Sequence, residues 1–206
     1  MEVLCGYDEE ELKKKLKRKL DEKRYIHSVG VAFTAVSLVM RHGGIDKLDD
    51  GGAKLIAQAY TAGLLHDCAK CLEPEESEKL CKRLKVKVTD FEIEHPWLIH
   101  AKLGAALAEK KYGVTDSEIL SAIRYHTTGH ADMTLLEKII FSADFIEPYR
   151  KPLIVMPRAR QALFEDLDLG IYVILEQTIK HLENKAQPVE EHTLEAYEWY
   201  KKTVVR

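Results

Sequence analysis

No apolar stretch in this sequence approaches the roughly 20 residues needed to cross a bilayer, so a membrane-spanning helix is not expected. The first residues, Met1 to Glu11, end in an acidic run where a secretory leader would be basic and then greasy. Cysteine is scarce, with four in 206 residues, and two of them are separated by only two positions. That pattern does not build a secreted disulfide framework. Neither sign of charge dominates: 31 Lys and Arg face 34 Asp and Glu, a net charge of −3. The chain therefore has no bulk field to attract nucleic acid or a membrane surface. A cytoplasmic protein with neither partner is expected. Strand signals are missing too, since no Asn-Gly or Asp-Gly turn sits between alternating runs. Repeats, low-complexity segments and linkers are also lacking, and the length suits one domain over residues 1–206.

What is present is helical periodicity almost throughout. Asp8 and Glu11 make a capping box ahead of Leu12, Leu16 and Leu20. Ile26, Val29, Phe33, Val36 and Met40 form a heptad-like stripe that stops at Gly43-Gly44. A third helix is expected from about Gly52 to Asp67, and Pro74 suits the first turn of a helix to about Leu84. Further helices are expected over Trp97 to Tyr112, from a Thr115/Glu118 capping box to near His126, and over Met133 to Ile146. Two more fall within 157–206, from about Asp168 to Asn184 and from about Thr193. The fold class is all-α.

Within this pattern lie His27, His66-Asp67, His100, His126 and Asp144, each beside apolar residues such as Leu64-Leu65 or Phe141. Imidazole and carboxylate are the usual ligands of catalytic zinc, iron or manganese. Adjacent helical residues point about 100° apart, so His66 and Asp67 share an ion only where the turn loosens. A lone histidine in such a place is more often a cap or a satisfied core group. As a set they are different, because a metal satisfies several buried polar groups at once.

The ordered residues His27, His66-Asp67 and Asp144 resemble the metal-dependent HD phosphohydrolase superfamily. Five segments narrow the resemblance: Arg24 to Val31, Gly63 to Lys70, His100 to Ala105, Ile123 to Gly129 and Ser142 to Arg150. Together they are similar to the bacterial symmetrical bis(nucleosyl)-tetraphosphatases, across core motifs spanning 24–150. The resemblance implies a helical bundle with its metal site among helix ends, and an iron-containing centre that cleaves diadenosine tetraphosphate to two ADP. It implies His27, His66, Asp67 and Asp144 as metal ligands. Arg24, His100, His126 and Arg150 become nucleotide or phosphate contacts. His100 and His126 are alternatively ligands of a second ion bridged by Asp67, so one or two ions are expected. Lys70 joins Asp67, His100 and His126 as a catalytic group, and the Thr127-Thr128-Gly129 loop offers hydroxyl and N–H donors. The family's C-terminal nucleotide-contacting stretch falls on Gln187 to Thr193, where the usual His-Pro before the threonine is absent and Tyr197-Glu198 replaces an Arg-Asn-like pair.

Two other readings share these residues. One is an HD phosphatase acting on another nucleotide, such as a nucleoside monophosphate. The other is a nucleotide-binding regulator with a structural metal, which has no need of an open coordination position. Two further motifs are read as structural. Cys68-Ala69-Lys70-Cys71 has zinc or redox spacing but no second pair, and buried thiols account for it. The basic run Lys13 to Lys19 follows Asp8 to Glu11, an order that suits the macrodipole of a solvated helix.

Overall fold

A computed structural model describes residues 7–44 and 50–204. Among them eleven α-helices and one 3₁₀ turn are found and no strand. They are α1 (Glu9–Lys17), α2 (Glu22–His42), α3 (Asp50–Leu65), α4 (Pro74–Leu84), α5 (Asp90–Glu94), α6 (Ile99–Tyr112), α7 (Ser117–Tyr125), α8 (Leu135–Ile146), α9 (Met156–Glu165), α10 (Leu167–Asn184) and α11 (Glu191–Val204). None of the described helices is long and apolar enough to cross a membrane.

Local chemistry starts and stops these helices. Asp8, Asp21 and Asp166 accept from the third backbone N–H of α1, α2 and α10, satisfying a donor that the first turn leaves orphaned. Thr134 and Glu137 close a reciprocal capping box on α8. The cap of α7 is Asp116, whose Oδ1 accepts from the N–H of Glu118 and Ile119, and not the expected Thr115/Glu118 box. Aspartate reaches both donors from one position later, so it wins. Gly113 ends α6 in the left-handed region at φ 74°. Trp97 belongs to the 3₁₀ turn Pro96–Leu98 and not to the helix it introduces. The short helix α5 and the helix α9 lie outside the expected set, although α9 buries Met156, Ala159, Ala162 and Leu163 at helical spacing.

α2, α3, α7 and α8 pack on one another as the central layer. Leu38, Leu64, Leu65, Ile119, Ile123, Ile139 and Ile140 are fully buried there. Burial of each such side chain stabilises by about 1.5–3 kcal/mol relative to leaving it in water. The face α2 buries is Ser28, Val31, Ala32, Ala35, Leu38 and Val39, whereas Ile26, Phe33 and Met40 of the heptad-like stripe are exposed. α6 covers α7, α4 covers α6, and α10 lies against α8 with α9 and α11 beside it. The Tyr200 hydroxyl, fully buried, accepts from the Met133 N–H and ties α11 to the start of α8.

Gly63 lets α3 meet α2 backbone to backbone. A Cβ there would sit 2.8 Å from Ala32 Cα and 3.0 Å from Ala32 N. Replacing glycine by alanine inside a helix gains about 0.5–1 kcal/mol of propensity, but overpacking a filled interface costs about 1–3 kcal/mol. Because the obstacle is main chain, it cannot turn aside, and the second effect dominates. Gly63→Ala should therefore lower the unfolding temperature measured by circular dichroism; an unchanged or higher midpoint would contradict this packing.

Candidate metal centre

α3 ends at Leu65, and residues 66–70 form turns. That loosening lets the neighbouring His66 and Asp67 face one pocket. His27 comes from the first turns of α2, His100 from the start of α6, His126 caps the end of α7, and Asp144 lies in the last turn of α8. Close crossing of α2 and α3 at Gly63 brings His27 Nε2 to 3.2 Å from His66 Nε2. Across the pocket, His100 Nε2 is 3.1 Å from His126 Nε2.

These short separations join atoms that repel. His66 Nδ1 lies 2.7 Å from the Gly63 carbonyl, His126 Nδ1 2.7 Å from that of Ile123, and His100 Nδ1 2.6 Å from that of Trp97. A carbonyl only accepts, so each Nδ1 carries the proton and each neutral ring presents a lone pair at Nε2. His27 Nδ1 lies 2.9 Å from Glu147 Oε1, which leaves its Nε2 facing inward as well. Two carboxylates complete the cluster. Asp144 Oδ1 is 3.0 Å from His27 Nε2 and 3.7 Å from His66 Nε2. Asp67 is two-faced: Oδ2 is 3.4 Å from His66 Nε2 and 3.6 Å from His27 Nε2, while Oδ1 is 3.2 Å from His100 Nε2 and 3.6 Å from His126 Nε2.

Imidazole nitrogens and carboxylate oxygens converging on one point are what a cation needs, and a divalent metal fits this set. Two overlapping triads qualify, His27–His66–Asp144 and His66–Asp67–His126, each with its ligand atoms within 4.8 Å of one another. Asp67 spans both. Burial resists charge on Asp67, but His66, His100 and His126 overcome it and hold the carboxyl well below the usual range. The Asp144 carboxyl is held far down despite burial, by His27, Arg150 and His66. Burial chiefly, with His126 and Lys70 adding to it, pushes His100 down to about 4, so its ring is neutral at neutral pH. Burial also disfavours a charged His27, yet Asp144, Glu147 and Asp67 outweigh it and raise its pKa.

Cations rim the cluster. Arg24 donates to Asp67 Oδ2, and one terminal nitrogen of Arg150 donates to Asp144 Oδ1 at 2.8 Å and to the Asp144 carbonyl at 2.6 Å. Lys70 Nζ lies 3.1–3.2 Å from the two ring nitrogens of His100, and burial lowers its pKa. All three line a cavity of about 510 Å³ with His27, Asp67 and Asp144. The Thr127 hydroxyl opens on the same space, 3.0 Å from His126 Nε2 and 3.2 Å from His100 Nε2. The rest of its loop does not join it. The Gly129 N–H donates to the Tyr125 carbonyl, and the Thr128 hydroxyl to the Gly129 carbonyl. The 187–193 stretch is linked to this loop, the Thr193 hydroxyl donating to the Thr128 carbonyl at 3.1 Å.

Glu147 was not singled out by the sequence reasoning. Fully buried, it accepts from His27 Nδ1–H on Oε1 and from the Tyr149 N–H at 2.7 Å on Oε2. Gly30 makes room for it, since a Cβ there would lie 2.5 Å from Glu147 Oε2. A signal existed: Glu147 follows Asp144 by three positions, at a helix C-terminus where the macrodipole disfavours acid. The Cys68/Cys71 pair is no ligand set. Cys68 is buried, pushed up to about 12 by burial and then by Asp67, and donates to the Gly104 carbonyl. Cys71 is exposed, contrary to the expected burial, and turns to Asp21.

Comparison with known proteins follows the same line. Residues 24–149 match the HD domain family. The chain is 38% identical to the symmetrical bis(5'-nucleosyl)-tetraphosphatase of Bacillus subtilis, over 89% of this chain and 92% of that protein. The Staphylococcus aureus protein of the same description is 35% identical, over 93% of each. In three dimensions the chain superposes with a TM-score of 0.86 on a crystal structure from Clostridium acetobutylicum, described as a predicted HD superfamily hydrolase involved in NAD metabolism. That protein is 35% identical, with 96% of this chain and 98% of that one covered.

Asp67→Ala should remove bound divalent metal and activity together while helical content stays unchanged. Elemental analysis of the purified variant checks this, and full turnover by a metal-free Asp67→Ala protein would refute it. Glu147→Gln should keep the fold and weaken metal affinity on the order of 10–100-fold, as read by chelator competition, because it alters the partner that orients His27.

Proposed function

The chain belongs to the HD domain family, and from that membership and its curated relatives we propose that it hydrolyses diadenosine tetraphosphate symmetrically to two ADP. The observation that carries the reading is the convergence of four imidazole Nε2 atoms and two carboxylates beneath three cationic side chains. We assign His27, His66, Asp67 and Asp144 to one ion, and His100 and His126, with Asp67 as bridge, to a second. The ion we propose is iron, as the resemblance implies, although imidazole and carboxylate also suit manganese, cobalt or zinc. Its chemistry when bound is Lewis acidity, which acidifies water at neutral pH and offsets charge on phosphoryl oxygens.

The protein's own groups do the rest. Arg24 and Arg150 each engage a ligand carboxylate through one terminal nitrogen, so the remaining donors of each fork are left for phosphate oxygens. Lys70 adds a compact charge beside His100. Held between these three cations, the polyphosphate chain is fixed in one register, which selects the phosphorus that is attacked. The neutral His100 ring, anchored through Nδ1–H on Trp97, keeps its Nε2 lone pair directed at the reacting region. Thr127 supplies a hydroxyl there. Glu147 keeps His27 in the Nδ1–H tautomer, so its Nε2 stays available. We place the enzyme in the cytoplasm, where thiols such as Cys68, Cys71 and Cys81, none of them in a disulfide, stay reduced.

With four phosphates, attack beside the central bridging oxygen leaves two ADP, whereas attack one phosphate further along leaves AMP and ATP. Hydrolysis in heavy-oxygen water should therefore label one of the two ADP molecules per turnover, on its β-phosphate. Initial formation of AMP and ATP would overturn the symmetrical assignment. Turnover of nucleoside monophosphates in preference to the dinucleotide would favour the alternative phosphatase.

A further inference from the structure

An apolar cleft opens beside the metal pocket and shares Lys70 and His100 with it. Its volume is about 750 Å³, and its walls are built from Leu72, Val88, Ile93, Trp97 and Ile99, between α4 and the start of α6. Two wall residues are unusually open for their type, Ile93 at 63% and Trp97 at 56% exposed. Trp97 is braced rather than loose. Its ring meets His95 edge-on at 4.9 Å, and His95 stacks on Phe91 at 4.2 Å. The metal pocket has the opposite character, lined almost wholly by charged and polar groups.

From this juxtaposition we infer that the cleft is a base-binding subsite, taking the purine of one half of a dinucleotide whose phosphates lie in the metal pocket. The inference rests on the function proposed above. Three observations select the occupant. The volume lies within the range of small-ligand sites, and the walls are apolar and aromatic with few polar groups, as such sites are. The rim carries no net field, because Glu75 pairs with Lys79 and Glu78 with Lys82, so an uncharged ring enters more readily than a phosphate. The shared wall places a cation, Lys70, where the charged part of such a ligand meets its apolar part. A purine standing against Trp97 gains stacking, and Ile93 and Val88, in the same walls, add apolar contact.

The test uses the metal-loaded full chain. The sequence holds two tryptophans, so Trp199→Phe leaves Trp97 as the sole fluorophore. Adenosine should quench its emission saturably and inorganic tetrapolyphosphate should not. Ile93→Asp, at an exposed position, should raise KM for diadenosine tetraphosphate roughly tenfold with kcat little changed, and Trp97→Ala should raise KM at least as much. The inhibition constant of tetrapolyphosphate should stay as in the parent. Absence of quenching, an unmoved KM in both variants, or a parallel loss of tetrapolyphosphate binding overturns the subsite. So does a KM rise confined to Tyr149→Ala, which would put the base on the exposed Tyr149 instead. Cleavage without quenching sinks the cleft alone; quenching by adenosine without cleavage of the dinucleotide sinks the proposed reaction and leaves the cleft standing.

Discussion

Lone pair faces lone pair at the centre of this molecule, and that constraint organises what surrounds it. His27 and His66 bring their Nε2 atoms to 3.2 Å, His100 and His126 to 3.1 Å, with two carboxylates between. Such an arrangement costs free energy unless positive charge enters it. Arg24, Arg150 and Lys70 supply part of that charge from the rim, and a divalent metal supplies it from within. The backbone carbonyls of Gly63, Trp97 and Ile123 matter as much as the rings, because they orient His66, His100 and His126 with Nε2 inward, as Glu147 orients His27.

The scaffold serves this cluster through helix ends and small residues. A helix interior would point His66 and Asp67 apart; the turn that follows Leu65 brings them to a common pocket. Gly63 against Ala32 sets the α2–α3 distance, and Gly30 opens the space that Glu147 fills. The apolar layer of Leu64, Leu65, Ile123, Ile139 and Ile140 offsets the cost of burying so many polar groups. Charge and core are therefore built from adjacent residues of the same helices.

The two neighbouring cavities divide the recognition of an elongated ligand by chemistry. One is ringed by cations and metal-binding groups, the other walled by aliphatic and aromatic side chains, and His100 and Lys70 belong to both. His100 thereby links the metal side to the apolar side: its Nδ1 is held by the backbone of Trp97, and its Nε2 faces Asp67.

Helical class, most helix boundaries and the spaced His and Asp residues were legible in the sequence, because caps, periodicity and ligand types are local properties. So was the family resemblance, since its motifs are contiguous strings such as Gly63 to Lys70. The Thr115 cap, the short helix α5 and the expected burial of Cys71 were misread or missed, being settled by one-residue competition or by a neighbour far along the chain. Tertiary structure alone decided that Asp67 shows one oxygen to each histidine pair, that Glu147 orients His27 from 120 positions away, and that the Gly129 N–H is occupied by Tyr125. It also turned Ile26, Phe33 and Met40 outward while burying the smaller Ala32 and Ala35. Periodicity specifies that a helix has an apolar face. Which face is buried, and which atoms then meet across it, depends on how closely two backbones can approach, a property of neither helix by itself.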